Sequence, residues 1–198
     1  MAGRPPDDGQ SQLDFGELAR CHQLCLPHTA SSRAGLDVLE QMYRALSTDA
    51  AAHVLWQPSA SAPRHLGAFA AGTSRLRQTE TGVRRGLSLR AFARLSVVVA
   101  TLPLHVLARR RWESLIPEGG VGYVLTLGSA RSVVPEADST AGSVILSQLE
   151  QRFVTDGCSS VWTDTELDNA RAHGFYLRQG YVEVSRDYGQ VLLKKPLQ

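Results

Sequence analysis

Cysteine is scarce in this chain: Cys21, Cys25 and Cys158 are the only three among 198 residues. An odd and sparse set cannot form a disulfide scaffold, and a reducing, cytoplasmic setting is the default it implies. Cys21 and Cys25 are four apart in a helical stretch, which suits apolar packing as well as metal binding. No second ligand pair lies near them, so no metal is expected. Charge of one sign is also lacking. Twenty-one basic residues face nineteen acidic ones, a formal charge of +2, and nothing in that balance calls for nucleic acid. Long apolar runs are missing too. The longest, Leu95 to Ala108, is interrupted by Pro103 and His105 and is too short to span a bilayer. The first ten residues, MAGRPPDDGQ, lack the apolar run of a secretory signal and read as a disordered N-terminus. A soluble protein is expected, with residues 11–198 as one domain.

What is present begins with two helices. Asp14 and Glu17 form a capping pair ahead of a stripe of Leu18, Cys21, Cys25 and Leu26, which Pro27 ends. Ser32 is placed to cap a second helix, with Leu36, Leu39, Met42, Tyr43 and Leu46 at helical spacing. Two strand-like pieces follow, about His53–Gln57 and His65–Ala71, joined by the turn-rich SASAP. The segment from Thr73 to Glu118 reads as an inserted arm. It holds Arg75, Arg77, Arg84, Arg85, Arg90 and Arg94, then Arg109, Arg110 and Arg111, and is expected to be two helices broken at Pro103. Such an arm is either a packing element with a solvated basic rim or a face that meets an acidic substrate, a carrier protein or lipid headgroups.

From Gly119 the pattern becomes β-α-β-α-β-β. Val121, Tyr123, Leu125 and Leu127 alternate as a half-buried strand does. Ile145, Leu146, Leu149 and Phe153 share one helix face, and Gly157 is placed to close that helix. Ser160–Thr163 is a short strand. Asp168 can cap a further helix that ends at Gly180, and RDYG turns the chain between two last strands.

The stretch Asn169-x-x-Ala172-x-x-Phe175-Tyr176-x-x-x-Gly180-Tyr181 resembles the N-x-x-A-x-x-F-Y-x-x-x-G-F motif of the GNAT superfamily of N-acetyltransferases, and it falls on the helix where that fold carries it. Ala172 is small where a helix nears a sheet, and Gly180 accepts the positive φ that stops the helix. Phe175 is expected to face the core. Tyr176, about 100° further around the helix, is expected to face a cleft. The resemblance implies a mixed, mostly antiparallel α/β (α+β) sheet, flanked by helices and splayed at its middle to admit a thioester. It makes Tyr176 the acid that protonates the leaving thiolate of coenzyme A, and Asn169 a contact of the pantetheine or phosphate portion.

An earlier loop in that superfamily reads V-x-P-x-x-[RQ]-G-x-G-x-[GA] and opens a helix whose amides hold the pyrophosphate of coenzyme A. The corresponding stretch runs from Val133 to Ser143. Val133 and Pro135 match, Ser139, Ala141 and Ser143 stand in the glycine slots, and Asp138 takes the basic slot. A shift of one register puts Gly142 in the last slot and Asp138 and Thr140 in the other two. On this alignment Val133, Ser139, Thr140, Ala141, Gly142 and Ser143 line the cofactor loop. A carboxylate beside a pyrophosphate repels it, so three outcomes stay open: weak use of acetyl-CoA, another acyl donor such as an acyl carrier protein, or loss of catalysis. The implied activity is transferase chemistry, N-acyl transfer from acetyl-CoA or another acyl thioester to a small-molecule amine, with no metal. The alternative is a catalytically silent binding module. A homodimer stays open. Glu80, His105, Asp164, Glu166 and His173 are all candidates for the general base.

Overall fold

The computed structural model describes residues 14–59, 66–102, 107–108, 111–112, 114–129 and 140–198. The expected N-terminal disorder, most of the SASAP turn, Pro103, His105, Arg109, Arg110 and the loop from Val133 to Ser139 lie outside these residues.

Helix α1 (Phe15–Cys25) starts where the Asp14 carboxylate accepts from the amides of Gly16 and Glu17. The second cap differs from expectation. Thr29, not Ser32, caps a short helix α2 (Ala30–Ala34), and Gly35 at φ 113° breaks the chain before α3 (Leu36–Thr48). Ser32 lies inside α2 and is buried, its hydroxyl accepting from Thr29. Strands β1 (Ala52–Pro58) and β2 (Leu66–Thr73) pair antiparallel as a hairpin.

The inserted arm opens with α4 (Leu76–Gly86) and α5 (Leu89–Ala100). Its first break lies at Leu87–Ser88, ahead of the break expected at Pro103; α5 ends at Ala100, and Pro103 itself lies outside the described residues. The Ser88 hydroxyl accepts from the Ala91 amide, and the Ser88 amide donates to Gln41 of α3. A serine that satisfies an orphan donor starts a new helix without any proline.

The remaining elements follow the expected order: β3 (Val121–Ser129), α6 (Ala141–Thr155), β4 (Ser160–Glu166), α7 (Ala170–Arg178), β5 (Val182–Asp187) and β6 (Gln190–Pro196). Gly157 (φ 79°) and Gly180 (φ 86°) close α6 and α7. Tyr188 (φ 51°) and Gly189 (φ 77°) make the last hairpin turn, where two positive φ values match the strand twist. Asn169, not its neighbour Asp168, caps α7 by accepting from the Ala172 amide.

The six strands form one sheet in the order β1-β2-β3-β4-β6-β5. Every pairing is antiparallel except β3 with β4. Because β3 is central, it is buried on both faces along its first half, unlike the half-buried strand its alternation suggests. On one face α6 lays Ile145, Leu149 and Phe153 against Val124, Val161 and Leu193. On the other, α1 and α3 cover Phe69 and Ala71, while Ala108 and Trp112 cover Tyr123, Trp162 and Leu192. A buried Glu150 on α6 accepts from Tyr181 at 3.0 Å and pairs with Lys195 of β6 at 2.6 Å, which ties the C-terminal hairpin to the helix.

Candidate active site at the parting of β3 and β4

The parallel ladder between β3 and β4 is short. It pairs Val121 with Ser160, Gly122 with Val161 and Tyr123 with Trp162, and goes no further, although both strands continue. Just past that point the β2–β3 register shifts, with Ala71 opposite Thr126 and Gly72 opposite Val124, so Leu125 is an extra residue in β3. A bulge bends and twists its strand, and here it sits where β3 leaves β4.

Two side-chain pairs stand at the gap, one on each face. The Thr163 hydroxyl donates to the Val124 carbonyl at 3.4 Å, and the Tyr176 side chain lies beside Thr163. On the opposite face the Tyr123 hydroxyl donates to the Asp164 carboxylate, joining β3 to β4. Thr163 and Asp164 are consecutive, so strand alternation alone puts them on opposite sides.

Tyr176 departs from expectation. It is the more buried of the two motif aromatics, 6% exposed, and it sits within the α6-side core. Its ring meets Phe175 at 5.4 Å and Tyr181 at 5.2 Å, both edge-on. Phe175 is only half-buried and packs beside Gly142, where an added Cβ would lie 3.8 Å from its ring. The α7 positions that face the sheet are therefore those of Ala172 and Tyr176, a helical i, i+4 pair, while Phe175 reaches across to the start of α6. Burial pushes the Tyr176 hydroxyl up to about 12, and the nearby Asp164 carboxylate acts in the same direction. It therefore stays protonated through neutral pH.

The cofactor-loop positions divide. Val133 and Ser139 lie outside the described residues. Thr140 is the N-cap of α6 but makes no side-chain cap bond, and Ala141, Gly142 and Ser143 form the first turn. The Ser143 hydroxyl turns back to the Thr140 carbonyl at 2.7 Å. The first turn of α6 and the capped start of α7 stand at the end of the sheet where β3 and β4 finish, and Phe175 links them. Asn169 spends its side-chain oxygen on capping α7.

Of the base candidates, Asp164 stands at the gap, Glu166 is the last residue of β4 two positions beyond it, and His105 lies outside the described residues. His173 Nε2 lies 2.7 Å from Glu183 on β5. Glu80 lines a separate cavity of about 700 Å³ at the other end of β3, between the start of α4 and residues 112–120. Tyr123 reaches the wall of that cavity, so one side chain connects it to Asp164. Sequence reading named Asp164 among five but missed Tyr123, which only the strand register brings to it. Among the described residues no group of three His, Cys, Asp or Glu side chains is set to hold a metal, and no helix is long and apolar enough to cross a membrane.

Comparison with known proteins agrees with this geometry. The sequence profile of the acetyltransferase (GNAT) family matches residues 139–181. No curated protein sequence matches the chain. Among solved structures, SsHAT is similar at 15% identity, over 95% of this chain and 96% of that one, with a TM-score of 0.62. PaiA N-acetyltransferase from Thermoplasma acidophilum, solved in complex with coenzyme A, is similar at 12% identity over 92% of each chain, TM-score 0.58. The ribosomal-protein-S18-alanine N-acetyltransferase from Escherichia coli is similar at 11% identity over 95% of this chain and 92% of that one, TM-score 0.54. The chain thus shares the fold of these acetyltransferases, and its residues 139–181 carry the sequence pattern of the acetyltransferase (GNAT) family.

Proposed function

We propose that the protein is an N-acyltransferase that uses acetyl-CoA to acylate a small-molecule amine by direct attack on the thioester. The observation that carries this reading is the placement of Tyr176 and Asp164 on opposite faces of the gap where β3 and β4 part. The coenzyme A complex of a protein with this fold supports the choice of donor.

The residues divide the work by side. The amides of the first turn of α6, from Ala141 to Ser143, and the positive end of that helix face the pyrophosphate. The β3 backbone beyond Tyr123, released from β4 and bulged at Leu125, supplies an amide for the oxyanion of the tetrahedral intermediate. Asp164, held by the Tyr123 hydroxyl, takes a proton from the substrate ammonium, and the free amine so formed attacks the thioester carbonyl. Tyr176, loaded with its proton at neutral pH, returns one to the sulfur as the carbon–sulfur bond breaks.

Titration calorimetry with coenzyme A and acetyl-CoA, followed by an amine screen that reads free thiol, tests the reading. Micromolar binding and thiol release with some amine are expected. Tyr176→Phe should then lower kcat by about a hundredfold or more while acetyl-CoA binding persists. Asp164→Asn should likewise lower kcat by about a hundredfold or more while acetyl-CoA binding persists.

The burial of Tyr176 favours one other reading, a catalytically silent module in which its hydroxyl serves packing alone. In that case Tyr176→Phe leaves ligand binding unchanged and there is no turnover to lose.

A further inference from the structure

Helix α5 is apolar on both sides. Its inward arc, Ala91, Leu95 and Val98, packs against Ala34, Val38 and Leu87. Its outward arc is Leu89, Phe92, Ala93, Ser96, Val97 and Ala100, all exposed and none charged. At about 100° per residue these six span about 140° of the helix circumference. Leu89 is 85% exposed, Val97 67% and Phe92 41%. A surface helix ordinarily turns polar residues to water, and an uncharged outward arc marks a face that something covers. The neighbouring α4 turns outward Arg77, Gln78, Thr81, Arg84 and Arg85, as a solvated helix does.

The charge around this arc is of one sign. Residues 76–100 carry five arginines and a single acidic residue, Glu80. Arg90 and Arg94 follow one rim of the arc, and Arg84 and Arg85 end α4 just before Leu89. Beside the arc a shallow groove runs between α2 and α5, floored by Ala34, Ala93, Val97 and Val98 and flanked by Arg33 and Arg94. Arg94 shares its guanidinium with Asp37 at 2.9 Å, while Arg33 stands exposed.

We propose that α5 docks this protein on an anionic phospholipid bilayer, its uncharged arc entering the headgroup–acyl boundary and its arginine rim contacting lipid phosphates. A convex apolar ridge with cations along its edge is the form that lies in a membrane interface. A second copy of the chain fits less well, because a two-fold contact through this face would bring arginine rim to arginine rim.

The test uses the full chain and co-sedimentation with vesicles. Binding is expected to equimolar phosphatidylcholine and phosphatidylglycerol, to weaken as salt is raised, and to be absent with phosphatidylcholine alone. Replacing Arg84, Arg85 and Arg90 together with Ser should weaken binding by about a hundredfold or more. Leu89→Asp with Val97→Asp should abolish it. All of these positions are exposed, and circular dichroism confirms that each variant stays folded. The proposal is overturned by any of three results: no binding to anionic vesicles at low salt, equal binding to neutral ones, or full binding by either variant. It is also overturned if sedimentation shows a dimer that the Leu89 and Val97 changes dissolve.

Discussion

His22 illustrates how one residue controls the acid response. It lies on α1 at 2% exposure, stacked on Phe69 at 5.5 Å, with Nδ1 2.6 Å from the Tyr43 hydroxyl and Nε2 3.3 Å from Thr29. Burial lowers its pKa from 6.5 to about 3, so the ring is neutral in the folded state at any pH near neutrality. Between those two values the unfolded chain binds a proton that the folded chain refuses. Stability from this group is therefore fully present above pH 6.5 and is lost as pH falls toward 3. The slope is at most about 1.4 kcal/mol per pH unit. Urea unfolding at stepped pH should show this acid loss in the wild type and a shallower one in His22→Gln. Equal slopes in the two proteins would show that carboxylates alone set the acid limit. The same burial logic governs Tyr176, with the opposite sign. Its raised pKa keeps the hydroxyl loaded and makes alkali, between about pH 10 and 12, the condition that withdraws its contribution.

At the scale of elements, the approach of α6 to the sheet is fixed by glycine. A Cβ on Gly122 would lie 2.4 Å from the ring of Phe153, and one on Gly72 would lie 2.7 Å from the same ring. Phe153 is fully buried, so it has nowhere to turn. Gly122→Ala should cost about 1–3 kcal/mol in denaturant unfolding through overpacking. Adding Phe153→Leu should return part of that loss, whereas strictly additive costs would mean that the ring does not bear on Gly122. These elements also indicate what the sequence could tell. The C-terminal β-α-β-α-β-β order was legible because its punctuation is local: Gly157, Gly180 and the turn before Gln190 each stop an element at one residue. The caps were harder where two candidates lie close together, as with Asp168 beside Asn169 or Ser32 after Thr29, since only the geometry of the oxygen chooses between them. The break at Ser88 was missed because a lone serine is a quieter signal than Pro103. The Tyr123–Asp164 contact at the gap joins residues 41 apart, and it follows from register, which composition and periodicity do not encode.

The whole molecule is two half-sheets, β1-β2-β3 and β4-β6-β5, held by three parallel register pairs and by side chains that cross the seam. Phe153 and Leu149 of α6 pack under both halves, and Tyr123 reaches over to Asp164. A thioester seated at the α6 start and running into the gap would touch α6, β3, β4 and α7 together. Such a ligand binds the folded state and not the unfolded one, so its free energy of binding adds to stability. At a hundred times the dissociation constant that is about 2.7 kcal/mol. For a chain of this size each kcal/mol moves the midpoint by about 2–4 °C, and saturating acetyl-CoA should raise Tm by about 5–10 °C. Asp138→Arg, which restores the basic slot of the loop, should reach the same shift at lower ligand concentration if the carboxylate is what opposes the pyrophosphate. A wild type that acetyl-CoA leaves unmoved, beside an Asp138→Arg variant that it stabilises, would place the fault in that one residue and keep the rest of the site as a working acyltransferase frame. A variant that is equally unmoved would place the acyl donor elsewhere, on a carrier or on nothing at all.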